Sequence, residues 1–423
     1  MFLNKLTTYT SLISLLLTLN SCSFFKRDFC KDEAVEQPDK SCPNVSLNAY
    51  IENSGSIDGY VSSGTSFKTG IYTLLTNEHV KTLKLSYVND SIYRQSCDAH
   101  NFILKLTPST FKQQGGNRAF SDISEVIERV LGDSPKEVAM LASDFIFSPP
   151  TDAQSVKEYL SMQQQDISNT MGGRFKQDSH FCVVILQGIS DYAGYYWNVS
   201  NTKSTYHGKR PYYVMLAGNR SAIALLLHSA MKGDTHFINS FTEAGLSPVR
   251  YEVVKNTSAK DGTFKLCKKS KNGLRHHLKD CHANKRSGNF TFKVYVDYSC
   301  LPLTDQYLCD ASNYTTSTSS YKVTSVAPLN ASADGYTHCI TLTANNSKHL
   351  CASSCDILLK KSFPAWIEQC NDAEGTAPLA GKTFGLLPLM QGVQKAFSST
   401  DACYSRMRLC ICLLYTSPSP RDR

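Results

Sequence analysis

Beyond its first 22 residues the chain has no apolar run long enough to cross a bilayer as a helix, so no second membrane span is expected. It also lacks Gly-x-Ser-x-Gly, His-Glu-x-x-His and the phosphate-binding loop Gly-x-x-x-x-Gly-Lys-Ser/Thr. These absences remove the local signatures of α/β-type serine hydrolases, zinc peptidases and P-loop nucleotide enzymes. A dispersed Ser/His/Asp triad stays open. No Cys-x-x-Cys pair occurs and no internal repeat is visible.

Zinc is therefore a weak reading of Cys267, His276, His277, Cys281 and His282. The spacing is not that of a structural zinc site, and the flanking lysines repel a cation. The same stretch explains the net charge of +8. Residues 268–286 hold seven Lys/Arg against Asp280 alone and so carry six of those net charges. Lys268, Lys269, Lys271 and Arg275 belong to this basic insertion, which is suited to contact an anionic headgroup or phosphorylated glycan.

The first 22 residues read as a secretory signal: Lys5, then the apolar stretch Leu12–Leu19. Leu19-Asn20-Ser21-Cys22 resembles a bacterial lipobox, which implies cleavage before Cys22 and a lipid on its thiol. Nucleic acid is not expected as a partner, since an exported lipoprotein would rarely meet it. Residues 23–44 are polar and aperiodic, as in a tether. Export permits disulfides among the 16 cysteines, with no pairing readable from sequence. Residues 412–423 match the translation of a transposase-type sequencing adapter and are set aside, so the natural C-terminus is expected to be absent.

Residues 45–235 alternate between strand and helix patterns. Val45–Ile51, Leu83–Val88, Val138–Ala142, Cys182–Leu186 and Tyr212–Leu216 are strand candidates. Helices are expected over Thr65–Val80, from Val156, and from Asn219. Ile123, Val126, Ile127, Val130 and Leu131 form an i, i+3, i+4, i+7, i+8 stripe behind Asp122 and Glu125, whose spacing is that of a capping box. Such alternation predicts an α/β fold: an open, mainly parallel, Rossmann-like sheet flanked by helices. Residues 236–411 are short-stranded, turn-rich and closed by two helical segments, which predicts a smaller β-rich, sandwich-like domain.

Ligands of open α/β sheets gather at the carboxyl ends of strands. Three segments are expected there: Glu52-x-Ser54-x-Ser56, the Gly-led loop 115–122 with Ser121, and Ser143-Asp144. Hydroxyls of Ser54, Ser56 and Ser121 with carboxylates of Glu52 and Asp144 form an oxygen-donor set suited to Mg²⁺ or another divalent cation. An open coordination position would then take an acidic side chain of a partner. Plain alternatives exist for each residue. Ser121 and Asp122 are good helix caps, Asp144 suits a turn, and Gly55 and Gly59 suit a loop.

The spacing of Glu52, Ser54 and Ser56 resembles the Asp-x-Ser-x-Ser motif of von Willebrand factor A (vWA) domains, with Glu in the Asp position. Ser121 then stands for the later Thr and Asp144 for the later Asp. Residues 50–61, 115–118, 143–148, 208–213 and 382–385 together resemble a family of vWA-like lipoproteins of Bacteroidetes-type bacteria. The resemblance supports the fold and carries no activity of its own; the three loops on an α/β scaffold behind a lipobox suggest a lipid-anchored outer-membrane protein, not an enzyme, that binds another envelope or extracellular protein and no evident small-molecule substrate. Glu52 is one methylene longer than Asp, which pushes its carboxylate into space that a small cation needs. Two alternatives remain: an envelope hydrolase with Ser54 or Ser56 as nucleophile, and a glycan-binding protein using the aromatic stretch Tyr192–Tyr213.

Overall fold

The computed structural model describes residues 44–62, 65–119, 122–150, 155–231, 236–255, 261–266, 276–330, 334–344 and 353–411. Cys22, residues 23–43 of the tether and residues 412–423 lie outside them. Seven strands form the main sheet: β1 (Val45–Glu52), β2 (Val80–Val88), β3 (Ile92–Gln95), β4 (Val138–Ser143), β5 (Phe181–Trp197), β6 (Lys203–Asn219) and β7 (Phe237–Ala244), in the order β3-β2-β1-β4-β6-β5-β7. Among the described residues no helix is long and apolar enough to cross a membrane.

The sheet is mixed, which corrects the expectation of a mainly parallel one. Only β1 pairs in parallel, with β2 on one side and β4 on the other. All other neighbours are antiparallel. The reason is the hairpin β5–β6, whose strands run 17 residues each and are joined by residues 198–202 alone. A parallel return needs a crossover of a dozen or more residues, so this pair must run antiparallel.

Burial on both faces explains why the central strands read as unbroken apolar runs. Leu47, Ala49 and Ile51 of β1 with Met140 and Ala142 of β4 face one hydrophobic cluster. Tyr50 with Ala139 and Leu141 faces the other. The first face is covered by α1 (Ser66–Leu75), through Phe67, Ile71 and Leu74, and by a second helix, Arg220–Ala230, through Ile223 and Leu226. Between them in sequence lie α2 (Ala99–Leu104) and α3 (Pro108–Gln113). The second face is covered by α4 (Ile123–Asp133) and α5 (Val156–Gln177); Arg220–Ala230 is then α6. Asp122 caps α4 by accepting from the Glu125 N–H at 3.2 Å, as the sequence spacing requires.

β7 begins at Phe237, so the sheet continues past residue 235. The later strands are β8 (Arg250–Val253), β9 (Thr263–Leu266), β10 (His277–His282), β11 (Thr291–Asp297), β12 (Tyr314–Thr316), β13 (Tyr321–Pro328), β14 (His338–Ala344), β15 (Ser353–Lys360), β16 (Asn371–Asp372), β17 (Thr383–Phe384) and β18 (Cys403–Ile411). They make a four-stranded sheet, β13-β14-β11-β8, a five-stranded sheet, β12-β15-β18-β10-β9, and a two-stranded pair, β16-β17. Phe292, Val294 and Leu342 of the four-stranded sheet and Ile357, Met407 and Leu409 of the five-stranded one join the same hydrophobic cluster that covers the first face of the main sheet. The remaining helices are α7 (Asp305–Cys309), α8 (Ala365–Cys370) and α9 (Leu386–Ala396), and α9 adds Leu389, Met390 and Val393 to the second face of the main sheet. Cys182, Cys355 and Cys403 are buried free thiols, each with its pKa raised by burial.

Candidate functional site

The chain leaves β1 toward β2 on one side and later sets β4 on the other. That divergence opens a crevice at the carboxyl ends of β1 and β4, where open α/β sheets place ligands. Glu52 is the last residue of β1, Ser143 the last of β4, and Asp144 follows. The sequence motifs therefore meet at this crevice.

Glu52 is buried and is committed to the neighbouring strand end. The Ser143 hydroxyl donates to Glu52 Oε2 and accepts from the Phe145 N–H at 2.8 Å. Phe145 holds a left-handed backbone, φ 52°, rare for a residue with a large side chain. Its ring stacks on Tyr213 with centroids 5.6 Å apart, which holds that conformation in place. Such strain costs about 1–3 kcal/mol and persists where packing over-determines it.

The hydroxyls of Ser54 and Ser56 lie 3.1 Å apart. Ser56 opens a single 3-10 turn, Ser56–Gly59. Arg118, from the Gly-led loop, clamps this turn. It donates to Asn53 Oδ1 at 2.8 Å, to the Ser54 carbonyl at 3.1 Å and to Asp58 Oδ1 at 2.5 Å. The Arg118 carbonyl in turn accepts from the Gly55 N–H at 3.1 Å. Gly59 sits flat against the Tyr192 ring, where an added Cβ would fall 2.3 Å from a ring carbon.

Below the turn, Asp144 faces Arg210 of β6, with Oδ2 and Nη1 4.0 Å apart and both side chains buried. Neither of these two atoms has a hydrogen-bond partner. The guanidinium lies 4.8 Å from the Tyr192 ring and 5.2 Å from the Tyr196 ring, so aromatic faces stand in for water around it. Burial pushes the Asp144 carboxyl above its ordinary range, while Arg210 and the Ser56 hydroxyl pull it back. Burial opposes the charge of Arg210, and Asp144 with the faces of Tyr192 and Tyr196 favours it.

The donor atoms of this arrangement are mostly committed elsewhere. Asp144 offers a buried unpaired oxygen, yet a fixed guanidinium already stands beside that oxygen. Glu52 Oε2 is taken by Ser143. A cation with two positive charges would meet Arg210 at close range and find only part of its octahedral set. The fit to Mg²⁺ is poor. Among the described residues no group of three or more His, Cys, Asp and Glu is placed to hold a metal.

Above these charges lies a pocket of about 540 Å³, bounded by Glu52, Ser56, Arg118, Phe147, Tyr196 and Trp197. Its walls mix hydroxyl, charge and aromatic surface, the composition of a ligand-binding cleft.

Not every expected residue is placed here. Ser121 lies outside the described residues, as do Cys267, Lys268, Lys269, Lys271 and Arg275. His276 is buried, stacked 4.2 Å from the Tyr251 ring, with Nε2 2.8 Å from the Tyr251 carbonyl. The aromatic stretch is mostly core: Tyr192, Tyr196, Tyr212 and Tyr213 are buried, and exposed Tyr195 carries Lys203 Nζ 3.6 Å from its ring centroid. Sequence reasoning did not single out Arg118 and Arg210, although both fall inside stretches that carry the resemblance, residues 115–118 and 208–213. A search against protein-family models, curated proteins and solved structures finds no match to this chain.

Proposed function

We propose that this is a lipid-anchored envelope protein that binds another protein through the pocket at the carboxyl ends of β1 and β4, without a divalent cation. The strand order β3-β2-β1-β4, running inward from one edge of the sheet, supports a vWA-like reading of the α/β unit. The observation that carries the proposal is Arg210 beside Asp144. A guanidinium there supplies the positive charge that a metal would supply, and it leaves the pocket above as a preformed receptor. The clamp of Arg118 on Asn53, Ser54 and Asp58 supports a rigid binding turn rather than a mobile catalytic loop. The β-rich half then serves as a spacer or second contact.

The test is site-specific photocrosslinking in membranes that carry the full chain. A photoreactive residue at Ser148, which lines the pocket, should give one discrete protein adduct in the presence of EDTA. The same residue at exposed Lys176, near the amino end of β5, should give none. An adduct that requires Mg²⁺ would restore a metal-dependent site, and no adduct from Ser148 would overturn the proposal.

A further inference from the structure

A second cavity, of about 880 Å³, lies away from this site, between α6 and the four-stranded sheet. His338, the first residue of β14, forms part of its wall, with its side chain only 5% exposed. Its Nδ1 is 2.9 Å from the Thr337 hydroxyl. Its Nε2 has no hydrogen-bond partner. The Asp305 carboxylate, at the start of α7, stands 3.8 Å from that nitrogen.

A buried ring nitrogen without a partner is costly, about 1–3 kcal/mol for an ordinary polar group, and calls for a ligand or a role. The Thr337 hydroxyl can act as donor or acceptor toward Nδ1, so the tautomer of His338 follows whatever meets Nε2. With Nε2 protonated, the nitrogen and Asp305 form a donor–acceptor pair. With Nε2 bare, they form two acceptors. An alcohol hydroxyl both donates and accepts, and so satisfies either arrangement.

Charge narrows the ligand further. Asp297 and Asp305 line the cavity and oppose an anion. Arg250 is not on the wall itself, but its guanidinium, 4.1 Å from the centroid of the lining Tyr336 ring, offsets part of that negative charge. Leu227, Met231 and Leu329 supply apolar surface on the same walls. A sugar ring presents this combination: hydroxyls on its edge, C–H groups on its face, and no net charge. The geometry points to a carbohydrate-binding site, in which His338 and Asp305 share a hydroxyl of one neutral sugar unit. The volume falls within the roughly 300–1,000 Å³ of small-ligand pockets.

Saturation-transfer NMR on the full chain, with glucose, galactose, mannose, N-acetylglucosamine and their common disaccharides as probes, tests the assignment. At least one neutral sugar should receive saturation. Asp305 is largely exposed, so Asp305→Asn should fold normally and weaken that binding at least fivefold. His338→Phe, which fills the space and removes the nitrogen, should abolish it. Arg118→Ala, at the other site, should leave it unchanged. No saturation of any neutral sugar, or binding that Asp305→Asn leaves intact, would overturn the inference. So would binding lost only with Arg118→Ala, since that would put the sugar at the other pocket.

Discussion

Two ion pairs hold different regions of this molecule: burial raises the carboxyl of both, and their cations shift in opposite directions. At the strand ends, Asp144 faces Arg210, 4.0 Å away, and the arginine is held charged. At the sheet edge, Glu243 of β7 faces Lys361, just past β15, at 3.6 Å. There burial pushes the Glu243 carboxyl up to about 7, and burial lowers the Lys361 amine, each partner opposing the other's shift. The physical difference is the cation. A guanidinium spreads its charge, is weakly hydrated and stacks on rings, whereas an ammonium is a compact charge that loses more on leaving water. Tyr192 and Tyr196 flank Arg210. Lys361 has one hydroxyl partner, Thr400 Oγ1 at 2.6 Å, and one ring at 5.8 Å. A pair meant to keep its charge under a binding pocket requires arginine, and the edge pair is the one placed to titrate.

The largest effect should come from breaking the first pair. Arg210→Met leaves the Asp144 carboxylate buried without a counter-charge, a loss of about 3–5 kcal/mol in urea unfolding. Adding Asp144→Asn to Arg210→Met should recover much of that loss, because the uncompensated charge goes too. Equal losses in the single and double variants would show that the two side chains are not coupled, and the contrast with the edge pair would fail.

The edge pair should show itself as a pH slope. Glu243 has a folded pKa of about 7 against an ordinary 4.5. The folded state therefore holds a proton that the unfolded chain has already released across this window. Stability contributed by the protonated form is complete below about pH 4.5 and is lost as pH rises through about 7, by at most about 3 kcal/mol. Thermal melts from pH 4.5 to 8 should show wild type falling relative to Glu243→Gln as pH rises. Parallel curves for the two proteins would remove Glu243 as the titrating group.

Much of the fold was legible because the periodic signals are local. The stripe of α4 with its Asp122 cap, the apolar run of β4 and the Asn219 cap of α6 all stand where side-chain spacing puts them. The direction of β5 and β6 was not legible from the apolar cores Cys182–Leu186 and Tyr212–Leu216. Their pairing continues far past those cores, through Tyr195↔Thr205 and Trp197↔Lys203 near the hairpin end. In the site, the meeting of Glu52 with Ser143 and Asp144 follows from strand ends alone. The arginines do not. Arg210 precedes the apolar run Tyr212–Leu216 in the middle of β6, and only the packed rings of Tyr192 and Tyr196 make it a core residue. Long-range pairing of one charge with another leaves no spacing rule in the sequence.

Glycine substitutions separate close approach from mere backbone freedom, and they sharpen the contrast around Arg210 with the smallest expected effects. At Gly59 a Cβ would sit 2.3 Å from the Tyr192 ring, so the ring that flanks Arg210 must move. Gly59→Ala should cost about 1–3 kcal/mol, the range for overpacking a tight contact. At Gly173, inside α5, a Cβ meets nothing within 4 Å. Gly173→Ala should then stabilise by about 0.5–1 kcal/mol, since alanine loses less chain entropy in a helix. Urea unfolding of both variants reads the pair of signs. A neutral Gly59→Ala would mean that the Tyr192 ring yields freely, and that the aromatic cage around Arg210 is too loose to hold its charge in the way argued for the strand-end site.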